Sequence, residues 1–233
     1  MDTQTRHALK QDNLVQVTQT GFDWLQENRS RVIRIGSAAL AAIAVLTLGL
    51  AVYSQRATAA NLGLGEALDT YTATLAQPGQ PPAPGERIFA SVSDRAKAAN
   101  PMFLAVAHRY SMLSPGKTAL YFAGLSAIDM GENGQAESDL EQVVSSGDSA
   151  LASLARLALA GLYRQTGRTG QAIELYNRLI AKPTSAVPAD EAQLELAALY
   201  ESVNPAEANR IYAQLKSGKS AAAEIAAQKL QQK

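Results

Sequence analysis

The stretch LAGLYRQTGRTGQAIELYNRLIAKP, residues 159–183, decides the fold of this chain. Apolar residues recur at helical spacing on both sides of Gly167 and Gly170, and glycines in this setting break helices. The stretch therefore predicts two helices joined by a tight turn. Elsewhere in the chain Ala, Leu, Glu, Gln and Arg dominate, and these residues lose little conformational freedom in a helix. We expect an all-α protein.

Copies of this two-helix unit lie on either side of it. Ala-Gly-Leu occurs at 123–125 and at 160–162, and Ala-Ala-Leu occurs at 197–199, each copy 37 residues from the last. A second series, spaced by 36 residues, consists of Ala136, Ala172 and Ala208. A small side chain at these positions lets the second helix lie close against the first. Neither helix buries its apolar stripe alone, so the pairs are expected to stack around one shared core.

The second copy carries a family resemblance. Its matching residues are Leu159, Ala160, Tyr163, Gly167, Ala172, Tyr176, Leu179 and Pro183. Their spacing resembles that of tetratricopeptide repeats. The resemblance implies a helical repeat solenoid, which we place over residues 86–217.

Both ends of the array are predicted from the residues. Upstream, residues 103–110 resemble the second helix of a degenerate unit, with breakers at 114–116 and the next helix opening at Lys117. Downstream, residues 218–233 are expected to form a polar capping helix, as an open solenoid end requires. Its thin apolar stripe consists of Ala222, Ile225, Ala226 and Leu230.

If the array curves as tetratricopeptide arrays do, the first helix of each pair lines its concave face. The positions expected there are candidate protein contacts. They are Thr118, Tyr121, Ile128 and Asp129 in the first unit, Leu154, Leu157, Arg164 and Gln165 in the second, and Glu191, Leu194 and Glu201 in the third. The alternative is that some of them only pack against neighbouring helices or face solvent.

Before the repeats lies a run of nineteen uncharged residues, 35–53. At 1.5 Å per residue the run spans about 28 Å, close to the hydrocarbon thickness of a bilayer, so residues 32–54 predict a single transmembrane helix. Arg29, Arg31 and Arg34 precede the run and only Arg56 closely follows it. The positive-inside rule then keeps the N-terminus in the cytoplasm and places residues 57–233 across the membrane.

A cleaved signal peptide is the alternative reading of this region, since Ala57-Thr58-Ala59 matches the small-x-small cleavage pattern. The apolar run is longer than the roughly 7 to 15 residues of a signal peptide, and some thirty polar residues precede it. Both features favour an uncleaved anchor. Ala38 and Ala42 are small enough to let another membrane helix pack closely, although an anchor without a specific partner fits the sequence too.

The segments on either side of the anchor are predicted to differ in character. Residues 1–31 are expected to form a cytoplasmic segment with a short amphipathic helix, which lies on lipid or binds a partner. Residues 55–85 are expected to form a further helix and a Pro/Gly-rich linker, because QPGQPPAPG at 77–85 cannot continue a helix.

Composition argues against several functional classes. There is no cysteine, hence no disulfide and no thiol chemistry. Beyond residue 54 there are 16 Lys+Arg against 17 Asp+Glu, which gives no basic field for nucleic acid. His7 and His108 fall on opposite sides of the predicted membrane. The acidic positions 137, 139 and 141 are expected to form a solvated face rather than a metal site, so we expect no enzyme, cofactor, metal or small-molecule substrate.

The order of parts carries a second resemblance. Trp24, Asn28 and the arginines lead into the span, and a Pro/Gly linker and a short repeat array follow it. This arrangement looks like the YfgM-like ancillary subunits of the SecYEG translocon. The resemblance implies a single-pass protein of the bacterial inner membrane with a periplasmic repeat domain. Its implied partners are translocon subunits, a periplasmic chaperone and unfolded clients. An envelope scaffold that organises cell-wall or division machinery is the alternative.

Overall fold

The computed structural model describes residues 28–76 and 87–232. Helices make up about four fifths of this described part, so the all-α prediction is confirmed. In chain order they are α1 (Arg29–Tyr71), α2 (Val92–Arg109), α3 (Ser114–Met130), α4 (Asn133–Val144), α5 (Ser149–Gln165), α6 (Thr169–Ala181), α7 (Ala189–Val203), α8 (Pro205–Leu215) and α9 (Ala221–Gln231). The chain divides into two compact units, residues 1–55 and 56–233.

The described part of the first unit is the beginning of α1. Every side chain from Ile33 to Gln55 is exposed. An 18-residue window of α1 has a mean hydropathy of 2.3 and none of it is buried, so the helix is long and apolar enough to cross a membrane. The predicted long apolar helix is confirmed, and insertion into a membrane stays a prediction. The amphipathic helix expected within residues 1–31 falls almost wholly outside the described residues, as does the linker at 77–85.

The second unit starts with the end of α1, which stops earlier than predicted. In the sequence, Leu68, Tyr71 and Leu75 recur at helical spacing, which predicts a helix through Leu75, but α1 ends at Tyr71. Thr74 and Leu75 (β1) instead pair in parallel with Ile88 and Phe89 (β2). Arg95 of α2 donates to the carbonyl oxygen of Ala73 at 3.0 Å, which satisfies a backbone group just beyond the helix end.

Three helix pairs follow, α3–α4, α5–α6 and α7–α8, and each helix packs against its neighbours along the chain. The predicted turns lie between the helices of each pair. Gly131 and Gly167 adopt left-handed backbone, with φ of 80° and 75°, a conformation that only glycine adopts without strain. The third turn has another construction. Asn204 ends α7 and also caps α8 by accepting from the Glu207 amide, and Pro205 opens α8 where its missing N–H costs nothing.

Buried alanines mark the crossing points of the pairs. Ala136, Ala172 and Ala208 are all completely buried, as the repeat pattern predicted. The larger residues four positions on, which are Leu140, Tyr176 and Tyr212, are buried beside them. The helices of the first pair cross closely, since a Cβ added to Gly124 would lie 2.7 Å from Leu140 Cγ. At that separation α3 and α4 can approach only because residue 124 has no side chain.

Upstream of the pairs, α2 packs against α3 and against the end of α1 around a cluster that contains Phe103. The buried amide of Asn100 donates to Ala123 O and Ser126 Oγ of α3 at 3.0 and 2.9 Å. The prediction that residues 114–116 lie between two helices and that α3 begins at Lys117 was wrong. They form the first turn of α3, because proline fits the first helical positions, where no amide donor is needed.

A helix is present in the predicted C-terminal segment: α9 packs against α8 and α7, and its role as the cap of a solenoid stays a prediction. Ala222 and Ala226 of the predicted stripe are buried. Ile225 is not part of the stripe, since 43% of its surface is exposed, and Ala223 is buried instead. The stripe that faces the preceding pair therefore consists mainly of alanines, which allow close approach.

Candidate protein-binding surface

The predicted groove positions all lie on the first helices of the three pairs. Thr118, Tyr121, Ile128 and Asp129 are on α3; Leu154, Leu157, Arg164 and Gln165 are on α5; Glu191, Leu194 and Glu201 are on α7. None is fully buried, and Arg164, Gln165 and Glu191 are exposed. All eleven therefore keep accessible surface. That they bind a protein stays a prediction.

One ion pair connects the first helices of two neighbouring pairs. Arg164 of α5 donates to Glu195 of α7 at 3.1 Å, with both side chains more than a third exposed. An exposed pair of this kind contributes at most about 1 kcal/mol. The ion pair is informative mainly about geometry, because it shows that the surfaces of α5 and α7 are adjacent.

Two of the predicted acidic contacts already have partners within the chain. Asp129 accepts a 2.7 Å hydrogen bond from the Tyr71 hydroxyl, which ties α3 to the end of α1. Glu201 accepts from the Tyr212 hydroxyl at 3.0 Å and lies 3.2 Å from Lys229 of α9. Burial, followed by the hydrogen bond to Glu201, raises the pKa of Tyr212 well above its usual value. These two carboxylates hold neighbouring helices together.

The apolar groove positions border the main core. Tyr121, Ile128, Leu154, Leu157 and Leu194 are partly buried and pack against its fully buried residues. Burial raises the pKa of the Tyr121 hydroxyl, and the ring meets Phe122 edge to face at 5.4 Å. Side chains that are held in place and still partly accessible can lose further apolar surface to a partner without much additional ordering.

Sequence reasoning missed a polar network that connects the first pair to the second. Arg168 donates to both carboxylate oxygens of Glu137, at 2.9 and 2.7 Å, and its guanidinium lies 4.0 Å above the ring of Tyr163. The Tyr163 hydroxyl donates to the same carboxylate at 2.8 Å. Hydrogen bonding by Arg168 holds the pKa of Glu137 below its usual range, while burial and the Glu137 carboxylate raise the pKa of Tyr163 to about 12.

Asp139 contradicts the predicted solvated acidic face. Asp139 is only 2% exposed. Glu137 binds Arg168 and Tyr163, and only Glu141 of the three is exposed. Gln135 donates to Oδ1 at 2.8 Å, but within the described residues the buried Oδ2 has no hydrogen-bond partner. Burial raises the pKa of Asp139, and Gln135 and the charge of His108 act in the opposite direction. In residues 28–76 and 87–232 no three His, Asp or Glu side chains converge to hold a metal ion.

Two open cavities lie in the second unit. One, of about 540 Å³, lies beside the end of α1 and carries both charge signs, with Glu66, Asp69 and Arg87 in its wall. The other, of about 390 Å³, lies at the α5–α6 pair and is lined by Arg156, Arg178, Leu179, Ala181 and Lys182. The second cavity carries only positive charge on its wall. The sequence alone did not reveal it, because its residues are far apart along the chain.

In the first unit, Ala38 and Ala42 lie exposed on α1, in the apolar stretch predicted to span the membrane. Their role in helix packing stays a prediction. No protein-family model, curated protein sequence or solved structure matches the chain, so its family is not assigned by comparison.

Proposed function

We propose that this protein is a membrane-anchored scaffold whose helical unit binds polypeptides at the outer face of the bacterial inner membrane. One observation carries the proposal. Three successive helix pairs share one construction, with a completely buried alanine at positions 136, 172 and 208 and packing against neighbours along the chain. Repeated pairs of this kind build extended binding surfaces rather than enclosed catalytic pockets. We assign the pairs to a tetratricopeptide-like solenoid.

The anchor in this proposal is the apolar part of α1. Its exposed apolar side chains have no partner to bury them in the described residues, and water does not stabilise such a surface. A bilayer does. The arginines at 29, 31 and 34 favour a cytoplasmic N-terminus, which places the repeat unit in the periplasm and makes the protein single-pass.

The binding surface in this proposal is the set of first helices, α3, α5 and α7. Tyr121, Leu154, Leu157 and Leu194 supply partly buried apolar contacts, and Arg164 supplies an exposed charge beside them. Apolar anchors beside polar groups are characteristic of protein interfaces. We therefore propose a protein ligand, with no cofactor, nucleic acid or small-molecule substrate and no enzymatic activity.

The resemblance in the order of parts directs the choice of partner. A YfgM-like role would place the protein beside the translocon, where it assists emerging polypeptides together with a periplasmic chaperone. The alternative is an envelope scaffold for cell-wall or division machinery, which the same helix pairs could serve. Purification of the full-length protein from membranes in mild detergent separates the two. Translocon subunits should co-purify under the first proposal, and enrichment of wall-synthesis proteins without translocon subunits would support the second.

A further inference from the structure

The basic cavity of the second helix pair has a defined construction. Arg156 comes from the middle of α5, Arg178 from the last turn of α6, and Lys182 follows the end of α6. Leu179 and Ala181 also line the cavity and supply apolar surface between the cations. The cavity of about 390 Å³ therefore combines three positive groups with an apolar lining.

The three cations are not required by the repeat fold. The corresponding positions, 37 residues away on the first helices and 36 residues away on the second, are uncharged in both other pairs. They are Ala119, Gln142 and Ser146 in the first pair and Gln193, Gln214 and Gly218 in the third. Because the other pairs form without charge at these positions, packing alone does not explain why the second pair carries it.

Local electrostatics do not account for the cluster either. Two of its cations, Arg178 and Lys182, lie at the C-terminal end of α6, where the helix dipole favours positive charge. Arg156 is in the middle of a different helix, so the dipole argument does not apply to it. Glu174 pairs with Arg178, but both side chains are more than 60% exposed, and such a pair is weak. The cavity keeps a net positive charge.

We propose that this cavity binds an acidic segment of a polypeptide ligand. Guanidinium groups match carboxylates with paired N–H donors, and two arginines and a lysine can hold closely spaced carboxylates along one chain. Leu179 and Ala181 would contact the aliphatic part of the bound residues. The inference deepens the proposed function and rests on it, because it names the chemical class of segment that a polypeptide-binding helical unit selects.

The test measures binding of a fluorescent glutamate-rich peptide, and of the same peptide with glutamines, to the full-length protein in uncharged detergent. The informative variant combines Arg156→Gln with Arg178→Gln, which installs the residues found at the matching positions of the third pair. We expect the wild type to prefer the glutamate peptide and the variant to bind it about fivefold or more weakly. Arg210→Gln is the matched control, because Arg210 is an exposed arginine paired with Glu207 on its own helix.

Equal binding of the glutamate peptide to the wild type and the double variant, with unchanged thermal melting, would overturn the inference. So would equal affinity of the wild type for the two peptides. Binding to vesicles that contain phosphatidylglycerol is measured in parallel. If the double variant loses binding to these vesicles but keeps its affinity for the glutamate peptide, the cations bind a lipid surface and the acidic peptide is rejected. Any of these results rejects the acidic ligand. If polypeptides are still captured on the first helices in membranes, the proposed function is unaffected.

Discussion

The Ala-Gly-Leu sequence occurs in two helix pairs, and the structure predicts different changes in stability when its glycine becomes alanine. In the first pair, a Cβ on Gly124 would lie 2.7 Å from Cγ and 2.9 Å from Cδ2 of Leu140, which is completely buried. Carbon atoms in good contact are about 3.5–4.0 Å apart, so the new methyl would be nearly 1 Å too close. In the second pair, a Cβ on Gly161 would meet nothing within 4 Å.

The free energies follow from two opposing effects. Replacing glycine by alanine inside a helix stabilises it by about 1 kcal/mol, and this gain applies to both positions. Overpacking a tight core contact costs about 1–3 kcal/mol, and this cost applies only to Gly124→Ala. We expect Gly161→Ala to raise the free energy of unfolding by about 1 kcal/mol and Gly124→Ala to leave it unchanged or lower it by up to about 2 kcal/mol.

Urea unfolding of the full-length protein in mild detergent, followed by helical circular dichroism, measures both variants against the wild type. Ala198 occupies the corresponding position of the third pair, so alanine is compatible with this place in the repeat where the crossing allows it. In a Leu140→Ala background the cost of Gly124→Ala should disappear, because the clashing atoms are gone. Equal stabilisation by Gly124→Ala and Gly161→Ala would refute the close crossing of α3 and α4.

Three further predictions concern packing, protonation and the anchor. Ala172→Leu should overpack the completely buried crossing of the second pair and destabilise the protein by about 1–3 kcal/mol in the same assay, so an unchanged melting curve would contradict the helix pairing. The pKa of Asp139 is raised in the folded state, so its contribution is fully present below the unfolded pKa and is lost as pH rises through the folded value. Asp139→Asn should therefore stabilise the protein by about 1 kcal/mol near pH 8, and the gain should vanish near pH 4, whereas a gain independent of pH would reject ionisation of this carboxyl as its source. Bulky substitutions at Ala38 and Ala42, such as leucine, should release the protein from its membrane complex without changing the melting of the helical unit, and retention of the complex would remove the helix-packing role.

The 36-residue spacing predicted buried positions in the second unit because spacing and burial depend on the same helical period. Ala136, Ala172 and Ala208 were identified from their separation in sequence and are buried as expected. The same period contained the signal for Asp139, which lies three residues after Ala136 on the buried face of α4. The prediction of a solvated Asp139 followed from its charge, whereas its position on the helix determines that it is buried.

Other features depend on contacts that a single stretch of sequence does not contain. Leu75 is not helical because it pairs with Phe89 of β2, fourteen residues further along the chain. The breakers at 114–116 became a helix start because proline suits the first turn of α3. Gly124 and Gly161 both lie in an Ala-Gly-Leu tripeptide, and the space around an added Cβ, which the tripeptide does not contain, distinguishes them.

The positive charge of the basic cavity could have been predicted from the sequence. Arg156 and Lys182 are 26 residues apart, so no local motif connects them. Alignment of the three helix pairs would have shown charge in the second pair at positions that are neutral in the others. The Glu137–Arg168 network has no such signal, because it joins different positions of two consecutive pairs.

In the proposed function the first helices bind polypeptide outside the membrane, and crosslinking in intact membranes tests this binding. A photoreactive residue is placed at Tyr121 or Arg164 of the full-length protein while a labelled exported polypeptide is arrested during translocation. The matched control is Ser138, exposed on α4, the second helix of its pair, and outside the lining of the basic cavity. We predict crosslinks to the arrested polypeptide from Tyr121 and Arg164 and few from Ser138. No crosslink from either position, or equal capture from Ser138, would contradict polypeptide binding by the first helices.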